Sequence, residues 1–336
     1  MKLEPMEALA AAELPTGPEW QYEPKWDGFR SIAFRRNRSV ELQSKAGQPL
    51  ARYFPDVVQA LKELEAKRFI LDGELVIPVN GDLSFNDLQL RLHPAASRVN
   101  MLAQQHPALY VVFDLLEDDT GHSLLNLPLR ERRARLQAFA ARYFRHDGIR
   151  LSPASSDLQQ ARKWLRTMGG GLDGIIAKNL EARYESGERT GAMQKIKDLR
   201  TADCVVGGFR YASNARVVGS LLLGLYDHGL LHHVGYTSSI AASERRELTR
   251  RLEELRQSPG FTGRSPGGPS RWSTDRSGQF EPLAPLLVVE VQYDHFTGGR
   301  FRHGTKLLRW RPDKAPRQCT MAQVELEARS PLGLIA

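Results

Sequence analysis

The sequence predicts an α+β protein of two domains, a larger mixed domain over residues 1–199 and a smaller, mostly β domain over 200–336. Three observations predict this. At 336 residues the chain exceeds the size at which one core usually stops growing. The first 200 residues alternate helical periodicity with short apolar runs. Beyond that point the pattern changes to short strands, which places the boundary near Lys197–Ala202.

Residues 1–20 read as a short leading segment, too brief to form a domain of its own. Ser31–Phe34 and Val40–Gln43 read as strands around a polar turn, Arg36-Asn37-Arg38. Pro55 opens an amphipathic helix with Val57, Val58, Leu61 and Leu64 at helical spacing. Residues 69–77 form a strand interrupted by Gly73, a position where a ligand or a neighbouring backbone often comes close. Helices are expected over 85–92, 129–144 and 158–168. Strands are expected over 109–116, 172–178 and 193–197. In the second domain, strands at 204–211, 220–226, 230–236 and 286–293 surround one helix at 243–257, and a Gly/Pro/Ser-rich loop spans 258–278. That arrangement suggests a five-stranded Greek-key barrel of the OB type.

The apolar and charged fractions, 41% and 26%, are those of an ordinary soluble globular protein. No apolar run is long enough to span a membrane, and no signal peptide is evident. Cys204 and Cys319 alone make neither a disulfide framework nor a zinc signature, so a reducing cytoplasm fits. Most of the +8 net charge falls after residue 199, where 19 Lys/Arg face 13 Asp/Glu. A basic balance points to a polyanionic partner such as nucleic acid. In the Gly/Pro-rich loop, Trp272 with Arg271 and Arg276 suits either DNA contact or plain solvation. His232, His233, His295 and His303 have no triad or metal spacing.

The chemistry-bearing stretch is Lys25-Trp26-Asp27-Gly28-Phe29-Arg30. A lysine amine, with an unperturbed pKa of roughly 10.4, becomes a nucleophile only when its surroundings free it of its proton. A tight Asp-Gly turn is one way to fix it at a pocket; a solvated lysine beside a turn is the alternative. Lys195 and Lys197 alternate along an expected strand, which would aim both ammonium groups to one side. There they suit an α-phosphate and would disfavour a proton on Lys25. Glu74 and Asp173 sit in apolar, strand-like sequence. Carboxylates there either bind a cation or a hydroxyl, or pair with a base.

These stretches stand in series with Ser44-Lys45, Phe113-Asp114, Asp173-Gly174-Ile175-Ile176-Ala177-Lys178 and Arg309-Trp310-Arg311-Pro312-Asp313-Lys314. Their order and spacing resemble the covalent nucleotidyltransferases: ATP-dependent DNA ligases, RNA ligases and mRNA capping enzymes. Residues 308–314 and His93–Val99 are similar to bacterial ATP-dependent DNA ligases of the "ligase C" and "ligase D" types. The chain leaves no space for the extra domains of the latter, so the stand-alone "ligase C" type fits.

The resemblance implies an ATP-grasp-like nucleotidyltransferase domain followed by the OB domain. It implies ATP as donor of a covalent AMP on Lys25, Mg²⁺ or Mn²⁺ as cofactor, and nicked duplex DNA as substrate. A monomer acting in DNA repair beside a repair polymerase is the expected setting. An RNA ligase or a capping-type enzyme is the alternative. It gives Glu74 to ribose and metal, Asp173 to metal, Phe113 to the adenine face, Glu23 to the adenine edge and Arg30 to the ribose side. Lys45 and Lys178 join Lys195 and Lys197 at phosphate, and Arg311 and Lys314 orient the pyrophosphate. Two positions depart from the family pattern. Lys45 stands where relatives usually carry Arg and cannot make a bidentate fork. Asp173 stands where most carry Glu, and its shorter reach suits metal contact through a water.

Overall fold

Strands near the Lys25 motif form two sheets that share a core. The structure, a computed structural model, describes residues 3–167, 172–197, 199–267, 278–302, 304–324 and 331–335. Arg271, Trp272, Arg276 and His303 lie outside the described residues. Two compact units are present, residues 1–198 with 328–336, and residues 199–327.

The first unit runs β1 (Glu7–Ala10), β2 (Trp20–Trp26), β3 (Phe29–Arg36), β4 (Ser39–Ser44), α1 (Pro55–Glu63), β5 (Arg68–Val76), β6 (Pro78–Val79), β7 (Asp82–Leu83) and α2 (Phe85–Arg91). It continues through α3 (Ala96–Gln105), β8 (Leu109–Glu117), α4 (Leu129–Tyr143), β9 (Ile149–Leu151), α5 (Leu158–Thr167), β10 (Leu172–Asn179) and β11 (Arg189–Ile196). One sheet has the order β1-β11-β10-β2 and the other β4-β3-β5-β8-β9. Their pairings are antiparallel except β1 with β11 and β8 with β9.

Apolar burial explains the layering. Leu71, Leu75, Tyr110 and Val112 pack under Val57 and Leu61 of α1 and Leu136 and Phe139 of α4. Tyr22, Ile175 and Ala177 pack against Ala161 and Trp164 of α5. Trp26, Val76, Val111 and Leu172 join the two sheets, and Leu332 and Ile335 pack with them. The segment 331–335 therefore belongs to the first unit, and not to a second domain running to residue 336.

Two glycines are forced by close approach. A Cβ on Gly73 would lie 2.7 Å from both the Tyr110 ring and the Val111 carbonyl oxygen. The interruption in β5 thus serves strand packing and not a ligand. A Cβ on Gly28 would lie 2.1 Å from the Leu75 carbonyl oxygen. That glycine lets the turn after Lys25 press onto β5.

The second unit contains β12 (Arg200–Ala212), β13 (Ala215–Asp227), β14 (Leu230–Thr237), α6 (Arg245–Glu254), β15 (Glu281–Pro282), β16 (Val288–Tyr293), β17 (Phe296–Thr297), β18 (Arg300–Phe301) and β19 (Lys306–Trp310). The main sheet has the order β14-β13-β12-β16-β19, with β15 also paired to β12. This corrects the five-stranded barrel expected from sequence: among the described residues the sheet stays open. Its outer strands β14 and β19 are not paired with each other; Thr305, just before β19, makes an isolated bridge to Thr237 at the end of β14. A closed barrel needs a paired ladder at that seam. His233 is a core residue of this unit, edge-on to Phe261 at 5.4 Å. Burial pushes its pKa down to about 3, with help from nearby arginines.

Candidate active site

β2 places Glu23 and Lys25 on one sheet, and the antiparallel pairing of β10 with β2 brings Asp173 and Lys178 alongside. β11 adds Lys195, while β3, β5 and β8 of the other sheet supply Arg30, Glu74 and Phe113. A cavity of about 220 Å³ opens between them. Eight residues singled out in the sequence line it: Glu23, Lys25, Arg30, Lys45, Glu74, Phe113, Lys178 and Lys195.

Lys25 does not stand alone in this cavity. Its ammonium makes a short ion pair with Asp173, and the other Asp173 oxygen lies 3.3 Å from Lys197 Nζ. Burial works to raise the Asp173 pKa, but Lys25 and then Lys197 outweigh it and hold the carboxyl below its usual value. Lys197 follows the last residue of β11, so it does not share a strand with Lys195 as its spacing suggested. Lys195 has a lowered pKa, from burial first and then from the charges of Lys25, Arg189, Lys197 and Lys45. A site that lowers the pKa of one of its own cations is prepared for anions.

Gly174 keeps Asp173 in place. Its φ is +118°, and a Cβ there would lie 2.1 Å from the Ile196 carbonyl oxygen. Only glycine meets both demands. Glu74 stands opposite Arg30 in the pairing of β3 with β5. Burial pushes its pKa up to about 7, against the opposing pull of Lys25 and Arg30.

The far side of the cavity is more tightly tied than the sequence suggested. Glu23 accepts a hydrogen bond from Lys178 Nζ at 2.8 Å and one from Gln21 Nε2 at 2.8 Å. Lys178 Nζ lies 4.6 Å from the centre of the Phe113 ring, and the Arg30 guanidinium 4.5 Å from it. Arg30 in turn forks onto Asp72 at 2.6 and 2.7 Å. Asp72 also accepts from the Tyr184 hydroxyl at 2.7 Å, and that hydroxyl accepts from the Met6 N–H at 3.0 Å. Lys45 pairs with Glu7 at 3.0 Å, and Arg189 also contacts Glu7.

Sequence reasoning missed Met6, Glu7, Asp72 and Tyr184. Asp72 carried a usable signal, since it is a carboxylate in the same apolar strand as Glu74. Met6 and Glu7 carried none, because β1 finds its parallel partner β11 some 180 residues away.

Among the described residues no group of three or more His, Cys, Asp or Glu could hold a metal ion by itself. Both Asp173 oxygens face ammonium groups, which leaves Glu74 as the carboxylate facing the cavity without such a close pair. That donor set fits Mg²⁺, which is usually held by one or two carboxylates together with substrate phosphates. It does not form an all-protein cage.

Arg311 and Lys314 lie in the second unit. Arg311 Nη1 lies 2.9 Å and Lys314 Nζ 3.2 Å from the two oxygens of Asp203. Arg311 also forks onto Asp313, at 3.0 Å from Nε and 2.8 Å from Nη2.

A lysine held by a carboxylate within a cation-rich cavity, on paired sheets of this topology, is the arrangement of a nucleotidyltransferase. Comparison with known proteins narrows the class. Residues 3–197 match the family described as "ATP dependent DNA ligase domain", and residues 214–314 match "ATP dependent DNA ligase C terminal region". The chain is 44% identical to DNA ligase C2 of Mycolicibacterium smegmatis, covering 96% of this chain and 94% of that protein. It is 31% identical to the multifunctional non-homologous end joining protein LigD of Mycobacterium bovis, over 89% of this chain and 37% of that protein. A solved structure of mycobacterial DNA ligase D complexed with ATP and MES superposes with a TM-score of 0.50 at 27% identity, covering 95% of this chain and 98% of the other. The chain belongs to the ATP-dependent DNA ligases, and over 96% of its length it is similar to the stand-alone ligase C type.

Proposed function

We propose that Lys25 is the nucleophile of this ligase and that the cavity around it binds the nucleotide. The observation that carries this reading is the placement of Lys25 on a cavity wall beside Lys195, with Asp173 held between it and Lys197. The Lys25 nitrogen attacks the α-phosphorus of ATP. The new N–P bond replaces the bond to the bridging oxygen, and pyrophosphate leaves. Asp173 is the nearest carboxylate to the proton the amine must shed. Lys195 and Lys197 offset charge on the α-phosphate.

Phe113 gives the adenine an apolar wall, and Glu23, fixed by Lys178 and Gln21, meets its edge. Arg30, held by Asp72, faces the ribose side. Lys45 binds phosphate when it leaves Glu7. Glu74 would hold Mg²⁺ or Mn²⁺, joined by Asp173 when one of its oxygens leaves its lysine; the ion supplies charge screening and Lewis acidity at phosphate when bound. On the second unit, Arg311 and Lys314 bind the departing pyrophosphate.

The AMP then passes to the 5′-phosphate at a nick in duplex DNA. Attack by the 3′-hydroxyl seals the strand and releases AMP. The non-homologous end joining in the name of the LigD relative supports a repair role; a repair polymerase as partner is part of our proposal. We place the enzyme in the cytoplasm as a monomer. No helix among the described residues is long and apolar enough to cross a membrane.

The test uses ATP labelled at the α-phosphate, followed by denaturing electrophoresis. Label should appear on the wild-type protein, be absent from K25A, and be chased by a nicked duplex into a sealed product. Labelling from GTP but not ATP, or label retained in K25A, would overturn the assignment.

A further inference from the structure

We propose that Asp203, at the start of β12, is a positioning residue for Arg311 and Lys314. This rests on the proposed role of those two cations in binding pyrophosphate. One carboxylate holds both cations, one on each oxygen, at 2.9 and 3.2 Å. Asp203 is itself only 9% exposed.

Its backbone is pinned from both sides by the side-chain amide of Gln323. The Gln323 Oε1 accepts from the Asp203 N–H at 3.0 Å, and Nε2 donates to the Asp203 carbonyl at 3.2 Å. The turn that carries the two cations is docked separately. Arg311 N–H donates to the Val288 carbonyl at 2.8 Å, and Lys314 N–H donates to the Arg311 carbonyl at 3.2 Å.

Donor counting shows why this arrangement orients the pair without silencing it. A guanidinium has five N–H donors and an ammonium three. Arg311 directs Nε and Nη2 to Asp313 and Nη1 to Asp203. One N–H without a hydrogen bond remains on each terminal nitrogen, with Glu290 3.9 Å from Nη1. Lys314 gives one donor direction to Asp203 and retains the others. Both side chains remain partly exposed, Arg311 at 18% and Lys314 at 28%. Asp203, together with Asp313 on the far side of Arg311, thus restricts the rotamers of both long side chains before an anion arrives. That freedom is a cost the anion would otherwise bear on binding.

Asp203 acts through the two cations. The prediction is therefore selective for one step. Self-adenylation of Lys25 from ATP should fall roughly 10- to 100-fold in D203N, the range set by losing hydrogen bonds to charged groups. Sealing of a chemically pre-adenylated nick, which releases no pyrophosphate, should stay within about threefold of wild type. The triple variant D203N/R311A/K314A should adenylate no more slowly than R311A/K314A, because Asp203 acts through those two cations.

Each outcome decides. Adenylation by D203N within about threefold of wild type, with R311A strongly impaired, overturns the role of Asp203. Normal adenylation by R311A overturns the underlying assignment of the pyrophosphate pair. Loss of pre-adenylated nick sealing in D203N makes Asp203 a fold element and overturns the proposal as well.

Discussion

Replacing Gly28 with alanine adds one methyl group at the turn that follows the nucleophile. That methyl would sit 2.1 Å from the Leu75 carbonyl oxygen and 2.9 Å from Glu74 Cγ, where ordinary contact begins near 3.4 Å. Leu75 cannot yield, because β5 is paired on both sides, Leu75 with Phe29 of β3 and with Tyr110 of β8. The turn between β2 and β3 must therefore retreat by about 1 Å, carrying Lys25 and Asp27 with it. Overpacking of this kind costs about 1–3 kcal/mol of stability. A 1 Å misplacement of a reacting group costs on the order of 100-fold in rate. The assay is single-turnover labelling of the protein by ATP, with thermal melting in parallel. G191A is the control, since a Cβ there meets nothing within 4 Å. Labelling of G28A within about threefold of wild type would refute the claim that this close approach sets the position of the amine.

Glu74 titrates near 7 in the folded protein, above its ordinary 4.5. The folded state therefore holds this proton more tightly than the unfolded one between those values, and stability should fall as pH rises through that window. E74Q removes the slope, so the gap between the two denaturation curves should change by up to about 1.4 kcal/mol per pH unit; parallel curves would refute it. Asp72 is fully buried beneath Arg30. D72A leaves that guanidinium without its partner and should cost about 3–5 kcal/mol in urea denaturation. Y184F removes a hydrogen bond to the Asp72 carboxylate and the acceptor of the Met6 N–H, and should cost about 1.5–3 kcal/mol, less than D72A; a larger loss from Y184F than from D72A would contradict the network. D173A frees both Lys25 and Lys197 from their shared partner. Nick sealing should drop most at limiting Mg²⁺, and unchanged sealing there would remove Asp173 from the metal site.

The strand and helix pattern of the first unit was legible because its elements carry their own periodicity, as in α1, β5 and β8. Lys25, Glu74 and Lys195 stood out because charged residues in apolar or turn-rich sequence need a reason. What stayed hidden depended on distant pairing. Glu7 meets Lys45 and Arg189 only once β1 lies beside β11. Lys197 reads as a strand residue by spacing, yet the strand ends one residue earlier and its partner is Asp173. The second unit misled for a related reason. Short strands in series suggest a closed barrel, but closure depends on how far β14 and β19 overlap, which neither strand's sequence encodes.

The Asp173 bridge between Lys25 and Lys197 also bears on which anions can enter. A carboxylate anchored on β10 competes at a high local concentration that no dissolved single anion matches. Chloride or free phosphate would have to displace it one contact at a time and against its tether. A triphosphate reaches several cations at once and compensates for that displacement through its own multivalency. With the nucleotide bound as we propose, the bridge should favour extended polyanions over small ones.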